Sequence, residues 1–280
     1  MSGEDFLATM ASASARRARA LTDTANDDEL MARAMAEPAP PGLSLQSGGF
    51  DIIAEIKLRS PAAGQLAAAG EDLQARAALY AGAGACAVSV LTEPERFGGS
   101  EADLARVARA LASADVPAMA KDFLVEPCQI AAARIAGAGG VLLIMTMLED
   151  AQCARMIERA TALGMFVLLE TFDATDLDRA GALLASGVGR QGRVLLGLNS
   201  RDLRSLEVDS GRLLDLADRF PEGWPRVAES GLSEPRHATV MAAAGYDAGL
   251  VGTALMRAPA PDQLIRRMRE AGTAARESAA

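Results

Sequence analysis

The feature that most constrains this chain is a beat. Short apolar runs recur at 50–56, 85–91, 116–120, 140–145, 165–169, 193–198, 225–228 and 247–251. Each is followed by an Ala- and Leu-rich stretch with helical spacing, at 72–82, 101–113, 127–136, 149–163, 173–186, 209–219, 233–244 and 260–271. The runs are apolar without alternation, as strands buried on both faces must be, and that points to a parallel sheet covered by helices. Eight such units in roughly 230 residues fit an α/β fold of the closed (β/α)8 type, the TIM barrel, whose usual size is about 250 residues. The competitor is a doubly wound open sheet. Its nucleotide-binding forms are disfavoured, because no GxGxxG follows a strand and no GxxxxGK[ST] is present.

Upstream of the beat, residues 1–36 are rich in Ala, Arg and Glu, with apolar residues at Phe6, Leu7, Met10, Leu21, Leu30, Met31 and Met35. They read as one or two amphipathic helices. Glu37-Pro38-Ala39-Pro40-Pro41-Gly42 then breaks any helix and acts as a linker. The expected organisation is an N-terminal helical extension over 1–45 and a single barrel domain over 46–280. A length of 280 residues would allow two domains, but the eight units use nearly all of it.

Composition removes several functions. The net charge of −9 argues against broad electrostatic binding to nucleic acid or anionic membranes. One His excludes His-rich metal sites, so proton transfer must lean on Glu, Asp or Lys. Cys86, Cys128 and Cys153 are odd in number and form no CxxC, so neither a disulfide framework nor a zinc knuckle is expected. Neither a signal peptide nor an apolar stretch of about 18 residues is apparent. A cytoplasmic protein follows as the expectation, monomeric with a homodimer as the alternative, and without metal or cofactor.

In a barrel of this kind, chemistry gathers at the C-terminal ends of the strands. Here the first strand ends in Glu55-Ile56-Lys57, the third runs into Lys121, the fifth ends at Glu170, the sixth at Asn199, and the seventh at Glu229-Ser230-Gly231. Alternation places Glu55 and Lys57 on the same side. Any one of these would ordinarily be a charge entering solvent. Five strand ends converging on one mouth are not so easily dismissed. An Arg-preferring chain that keeps Lys at two of them suggests a need for a titratable, flexible ammonium. The pattern reads as a mixed Lys/Glu acid–base site. A phosphate signal lies beside it: Gly231 and Gly252-Thr253 follow strands 7 and 8, where such barrels often hold phosphate, with Arg59 and Ser60 next door. Read alone, these glycines could equally be serving tight turns.

These residues resemble the indole-3-glycerol phosphate synthase family. The matching segments are Ile53-Ala54-Glu55-Ile56-Lys57 with Ser60-Pro61, Leu91-Thr92-Glu93 with Phe97-Gly98-Gly99-Ser100, and Lys121-Asp122-Phe123-Leu124-Val125. They continue with Val141-Leu142-Leu143-Ile144, Leu169-Glu170, Gly197-Leu198-Asn199-Ser200-Arg201-Asp202-Leu203, Ala228-Glu229-Ser230-Gly231 and Val251-Gly252-Thr253-Ala254-Leu255-Met256. The chain departs from the family pattern with Ala62 in place of Ser, Gly139 in place of Asp, and Phe172 where His is often found. The resemblance implies conversion of 1-(2-carboxyphenylamino)-1-deoxyribulose 5-phosphate to indole-3-glycerol phosphate by ring closure, decarboxylation and dehydration, with no cofactor. It implies Lys121 as general acid with Lys57 sharing the acid steps, Glu170 as base, and Glu55, Asn199, Glu229 and Ser230 holding hydroxyls and orienting the lysines. It implies phosphate on Ser60, Gly231, Gly252 and Thr253 with Arg59 nearby, Arg201 as binder of the carboxylate or stabiliser of the site, and the 1–45 extension as a cap on the barrel mouth of the catalytic domain. The ring slot would be Phe97, Phe123, Leu142 and Leu203. Two rivals stand against it: a Schiff-base aldolase using Lys121 as nucleophile, and a divergent, non-catalytic phosphate-binding paralogue.

Overall fold

A computed structural model describes residues 3–67, 70–201, 208–209 and 211–279. Eight parallel strands close into a barrel: β1 (Asp51–Ile56), β2 (Ala87–Leu91), β3 (Ala118–Lys121), β4 (Gly140–Ile144), β5 (Phe166–Thr171), β6 (Val194–Asn199), β7 (Arg226–Glu229) and β8 (Ala248–Val251). β8 pairs with β1 through Asp51 opposite Ala248, which seals the ring. Nearly every strand residue is buried, because one face looks into the barrel and the other meets the helices. The apolar core therefore forms two shells. Ile53, Met119, Leu142, Leu168, Leu195 and Val227 fill the interior, while Ile52, Ala54, Val88, Leu143, Leu169 and Leu196 pack outward.

The extension folds as two helices, α1 (Gly3–Thr24) and α2 (Asp27–Ala36). The break between them has a local cause. Asn26 accepts the N–H of Glu29, and the Glu29 carboxylate accepts the N–H of Asn26, a reciprocal box that starts a new helix. Beyond α2 the proline-rich stretch has no regular secondary structure, and Leu43 is buried in the interior cluster with Cys86, Phe166 and Ala248 at the strands' N-terminal ends.

The barrel helices are α3 (Leu73–Gly82), α4 (Glu101–Leu111), α5 (Pro127–Ile135), α6 (Asp150–Ala162), α7 (Ala174–Ala185), α8 (Gly211–Asp215), α9 (Pro235–Ala243), α10 (Thr253–Arg257) and α11 (Pro261–Ala279). Two differ from the expected spans. The helix expected over 209–219 shrinks to α8 and a single 3₁₀ turn at Ala217–Arg219. Donors from outside the helix take its carbonyls: the Tyr246 hydroxyl donates to Leu213 O at 2.7 Å, and Arg226 Nη1 to Ala217 O at 3.2 Å. The last helix runs eight residues past its expected end at 271. Its Ala-, Arg- and Glu-rich tail favours helix, and Arg276 ties it down by donating to Gly245 O and Tyr246 O and pairing with Asp247 at 2.9 Å. A small antiparallel hairpin after β1, Arg59–Ser60 with Gly64–Gln65, and the short α10 were not expected. No helix among the described residues is long and apolar enough to cross a membrane.

Candidate active site

Strand register sets the mouth. Asn199 lies opposite Glu229, Ile144 opposite Glu170, and Leu91 opposite Lys121, so four polar ends reach one level of the ring. Above them opens a cavity of about 700 Å³.

Lys121 is the hub. Its Nζ lies 3.2 Å from Glu229 Oε2, 3.5 Å from Glu55 Oε2 and 3.9 Å from Glu170 Oε2. Burial works against its charge, but Glu229, Glu55 and Glu170 outweigh it and hold the ammonium well above the usual lysine range. Lys57 Nζ meets the other oxygen of Glu55 at 2.6 Å. Burial would raise the Glu55 carboxyl; the two ammonium groups reverse that and hold it below the ordinary carboxylate range. Glu229 is the opposite case. Wholly buried, faced by Glu170, and with Oε1 lacking a hydrogen-bond partner among the described residues, it is pushed up to about 8 despite Lys121. Burial and Glu170 thus favour the protonated form of Glu229, while the surrounding carboxylates favour the charged form of Lys121. Asn199 Nδ2 donates to Glu170 Oε1 at 2.7 Å, and its Oδ1 accepts the Arg201 N–H at 2.9 Å, so one amide orients the carboxylate and the turn beyond β6.

Two glycines make this packing feasible. A Cβ on Gly197 would collide with Glu229 Oε1, and a Cβ on Gly252 would collide with Glu55 Oε1. Both mark close approach of a buried carboxylate to backbone. Ser230 is held at φ 67°, the left-handed region, at a cost of about 1–3 kcal/mol that clusters at functional sites. Gly231 continues the turn at φ 80°.

Of the residues singled out from the sequence, Glu55, Lys57, Ser60, Phe97, Lys121, Phe123, Leu142, Glu170, Asn199, Arg201, Ser230, Gly231, Gly252 and Thr253 all line the cavity. Glu229 lies beneath it, reaching the cavity through Lys121. Leu203 lies outside the described residues. Arg59 is not among the residues that line the cavity; its exposed guanidinium donates to Glu95 O at 2.7 Å and to Pro94 O at 3.4 Å, tying the hairpin to the next loop. The basic side chain that does line this side is Arg257, at the end of α10, which donates to Ala63 O at 3.3 Å. Sequence reading also passed over Phe6, Leu91, Ile144 and Leu250. The last three could have been found by extending the two-residue alternation along β2, β4 and β8; Phe6 sits on an amphipathic helix, where nothing local marks it.

The arrangement is a charged ammonium ringed by carboxylates, under an apolar wall. It can donate a proton to a developing oxyanion and take one from carbon. It does not suit attack by the amine, because a Schiff base needs a neutral nitrogen. Among the described residues, no group of three or more His, Cys, Asp or Glu is arranged to hold a metal.

Residues 14–268 match the family model for indole-3-glycerol phosphate synthase. A protein of that name from Parafrankia sp. (strain EAN1pec) is 44% identical over 229 residues, covering 82% of this chain and 81% of its own. Another, from Saccharopolyspora erythraea, is 40% identical over 248 residues, covering 88% of each chain. Among solved structures, 3-hexulose-6-phosphate synthase from Salmonella typhimurium aligns with a TM-score of 0.58 at 12% identity, over 81% of this chain and all of its own. Phosphoribosyl anthranilate isomerase from Thermotoga maritima aligns at 0.53 and 19%, over 80% of this chain and 99% of its own. These two share the fold.

Proposed function

The chain belongs to the indole-3-glycerol phosphate synthase family, an enzyme family of decarboxylative ring closure, and from that membership we propose how its mouth divides the work. The substrate is 1-(2-carboxyphenylamino)-1-deoxyribulose 5-phosphate. The ring carbon bearing the carboxylate attacks the ketone carbon, and the carbonyl oxygen gains a proton from Lys121. The observation that carries this is the convergence of Glu229, Glu55 and Glu170 on one ammonium within 3.9 Å, which keeps it charged and aimed into the cavity. A positioned acid of this kind contributes about 10²–10⁴-fold to rate.

Ring closure leaves an iminium, which takes up the electrons released with CO2. The hydroxyl formed at the former ketone then leaves as water, with Lys57 and Lys121 sharing the acid role, while Glu170 removes the ring proton that restores aromaticity. Glu170 is fitted to this by its bond from Asn199, which leaves its second oxygen toward Lys121 and the cavity. Glu55, Glu229 and Ser230 orient the lysines and meet substrate hydroxyls. Arg201, on the cavity wall, receives the carboxylate, and Phe97, Phe123 and Leu142 flank the ring. Phosphate lies on Ser60, Gly231, Gly252 and Thr253, which line one side of the cavity together with Arg257.

The α1–α2 extension acts as a cover, supported by Phe6 at the cavity wall. A cytoplasmic monomer fits the three buried free thiols and the scatter of the exposed apolar side chains Met35, Leu79, Leu214 and Val240 over separate elements. The test is the appearance of indole fluorescence when the purified protein meets the substrate. Turnover with no borohydride trapping on Lys121 is expected; a folded protein giving no signal would overturn the reading.

A further inference from the structure

The contacts of α1 converge on the two loops that carry the aromatic wall of the mouth. Arg17 reaches between two buried carboxylates. Its Nη2 donates to Asp122 Oδ1 at 2.6 Å, and its Nη1, buried and without a hydrogen-bond partner among the described residues, lies 4.0 Å from Glu93 Oε1. Asp122 directly follows Lys121. Its Oδ1 also accepts the N–H of Phe123 at 2.7 Å, and its Oδ2 accepts the Thr92 hydroxyl at 3.3 Å. Glu93, fully buried, accepts the backbone N–H groups of Glu95, Arg96 and Phe97 at 2.7–2.9 Å. One guanidinium thus joins the carboxylate that fixes the backbone between Lys121 and Phe123 to the carboxylate that folds the loop presenting Phe97. Both phenylalanines line the cavity, 6.2 Å apart, and Phe6 of α1 packs edge-on against Phe123 at 5.9 Å.

Simple docking of the extension does not require this. Gln129 Nε2 donates to the Ser14 hydroxyl at 2.9 Å, and Arg159 grips Asp27 with both guanidinium nitrogens at 2.6 and 3.1 Å, all away from the cavity. Removing the Arg17 charge would leave Asp122 and Glu93, already facing one another, as uncompensated buried anions. The two loops would separate or admit water, and the ammonium of Lys121 would move with its neighbour.

We propose that Arg17 is a positioning residue of the active site, setting Lys121 through Asp122 and the Phe97 loop through Glu93, so that the first helix is a working part of the mouth. The inference rests on Lys121 being the general acid. It is tested by kcat and KM for the carboxyphenylamino-deoxyribulose phosphate, read by indole fluorescence, with thermal unfolding in parallel. Arg17→Met lowers kcat by about 10–100-fold and raises KM several-fold, since a misplacement of about 1 Å can cost that much. Arg17→Lys, able to meet one carboxylate but not both, restores part of the loss. Arg159→Met loosens the extension and lowers the melting temperature, yet keeps wild-type kcat and KM. Asp122→Asn, which removes the charge Arg17 meets, lowers kcat several-fold and, combined with Arg17→Met, costs less than the product of the two. Wild-type kcat and KM in folded Arg17→Met or in Asp122→Asn overturns the proposal, as does an equal loss in Arg159→Met. Lack of turnover by the wild-type protein, or full turnover by Lys121→Ala, overturns the underlying reading instead.

Discussion

At the scale of single residues, the protein separates its two cations by use. Of its 28 Lys and Arg, only Lys57 and Lys121 are lysines, and both lie in the mouth. Arginine holds structure, as at Arg59, Arg159 and Arg276, because a guanidinium stays charged and makes fixed fork-like contacts. An ammonium gives up a proton more readily, which chemistry needs. Lys121→Ala should therefore reduce kcat by about 10²–10⁴-fold and also lower the unfolding midpoint, because the stability its ammonium contributes is lost and Glu229, Glu55 and Glu170 are left facing one another. Steady-state kinetics alongside circular dichroism checks both halves. This pairing was legible from the scarcity of lysine and from the two-residue spacing of Glu55 and Lys57. The role of Gly252 was not. A backbone surface for phosphate could be read from its place after strand 8, but space for the Glu55 carboxylate depends on a residue almost two hundred positions away. Gly252→Ala should accordingly displace Glu55 and Lys57, lowering kcat at least tenfold as well as raising KM; a pure KM effect would restrict the glycine to phosphate binding.

At the scale of elements, the strands were legible because burial on both faces leaves an uninterrupted apolar run, which few other structures produce. Helix ends were less so. The sequence around 209–219 carries a helical pattern, yet Tyr246 and Arg226, distant in the chain, capture its carbonyls and shorten it. The hairpin at 59–65 is local yet escaped, because two residues of pairing are too short to leave a readable alternation. Where the cause is local, the sequence suffices: Asn26, with Glu29 three residues later, marks the start of α2. Asn26→Ala should cost about 0.5–2 kcal/mol of stability, the usual worth of such a cap. Denaturant titration would show it, with kcat unchanged because the cap touches neither the cavity nor its loops.

At the scale of the whole molecule, the barrel gathers charge into its dry centre, and this should appear in how stability depends on pH. Glu229 titrates near its ordinary 4.5 when unfolded and is pushed to about 8 when folded, by burial and by Glu170. Between those values the native state keeps a proton that the unfolded chain has lost, so stability falls as pH rises from about 4.5 to about 8. Lys121 acts differently: its folded value lies above its ordinary one, so the stability it contributes is fully present across that window and is lost only in strong alkali. The net negative charge of the chain adds its own repulsion over the same range, which a substitution can subtract. Glu229→Gln keeps the shape and removes the titration. Unfolding free energies at pH 5, 6.5 and 8 should diverge between the two proteins, wild type losing on the order of 1–3 kcal/mol more. Parallel slopes would show that the proton does not reside on Glu229. Divergence would mean that the barrel retains, beneath its catalytic lysine, a carboxyl that destabilises the fold at neutral pH, an arrangement that persists where a site needs it.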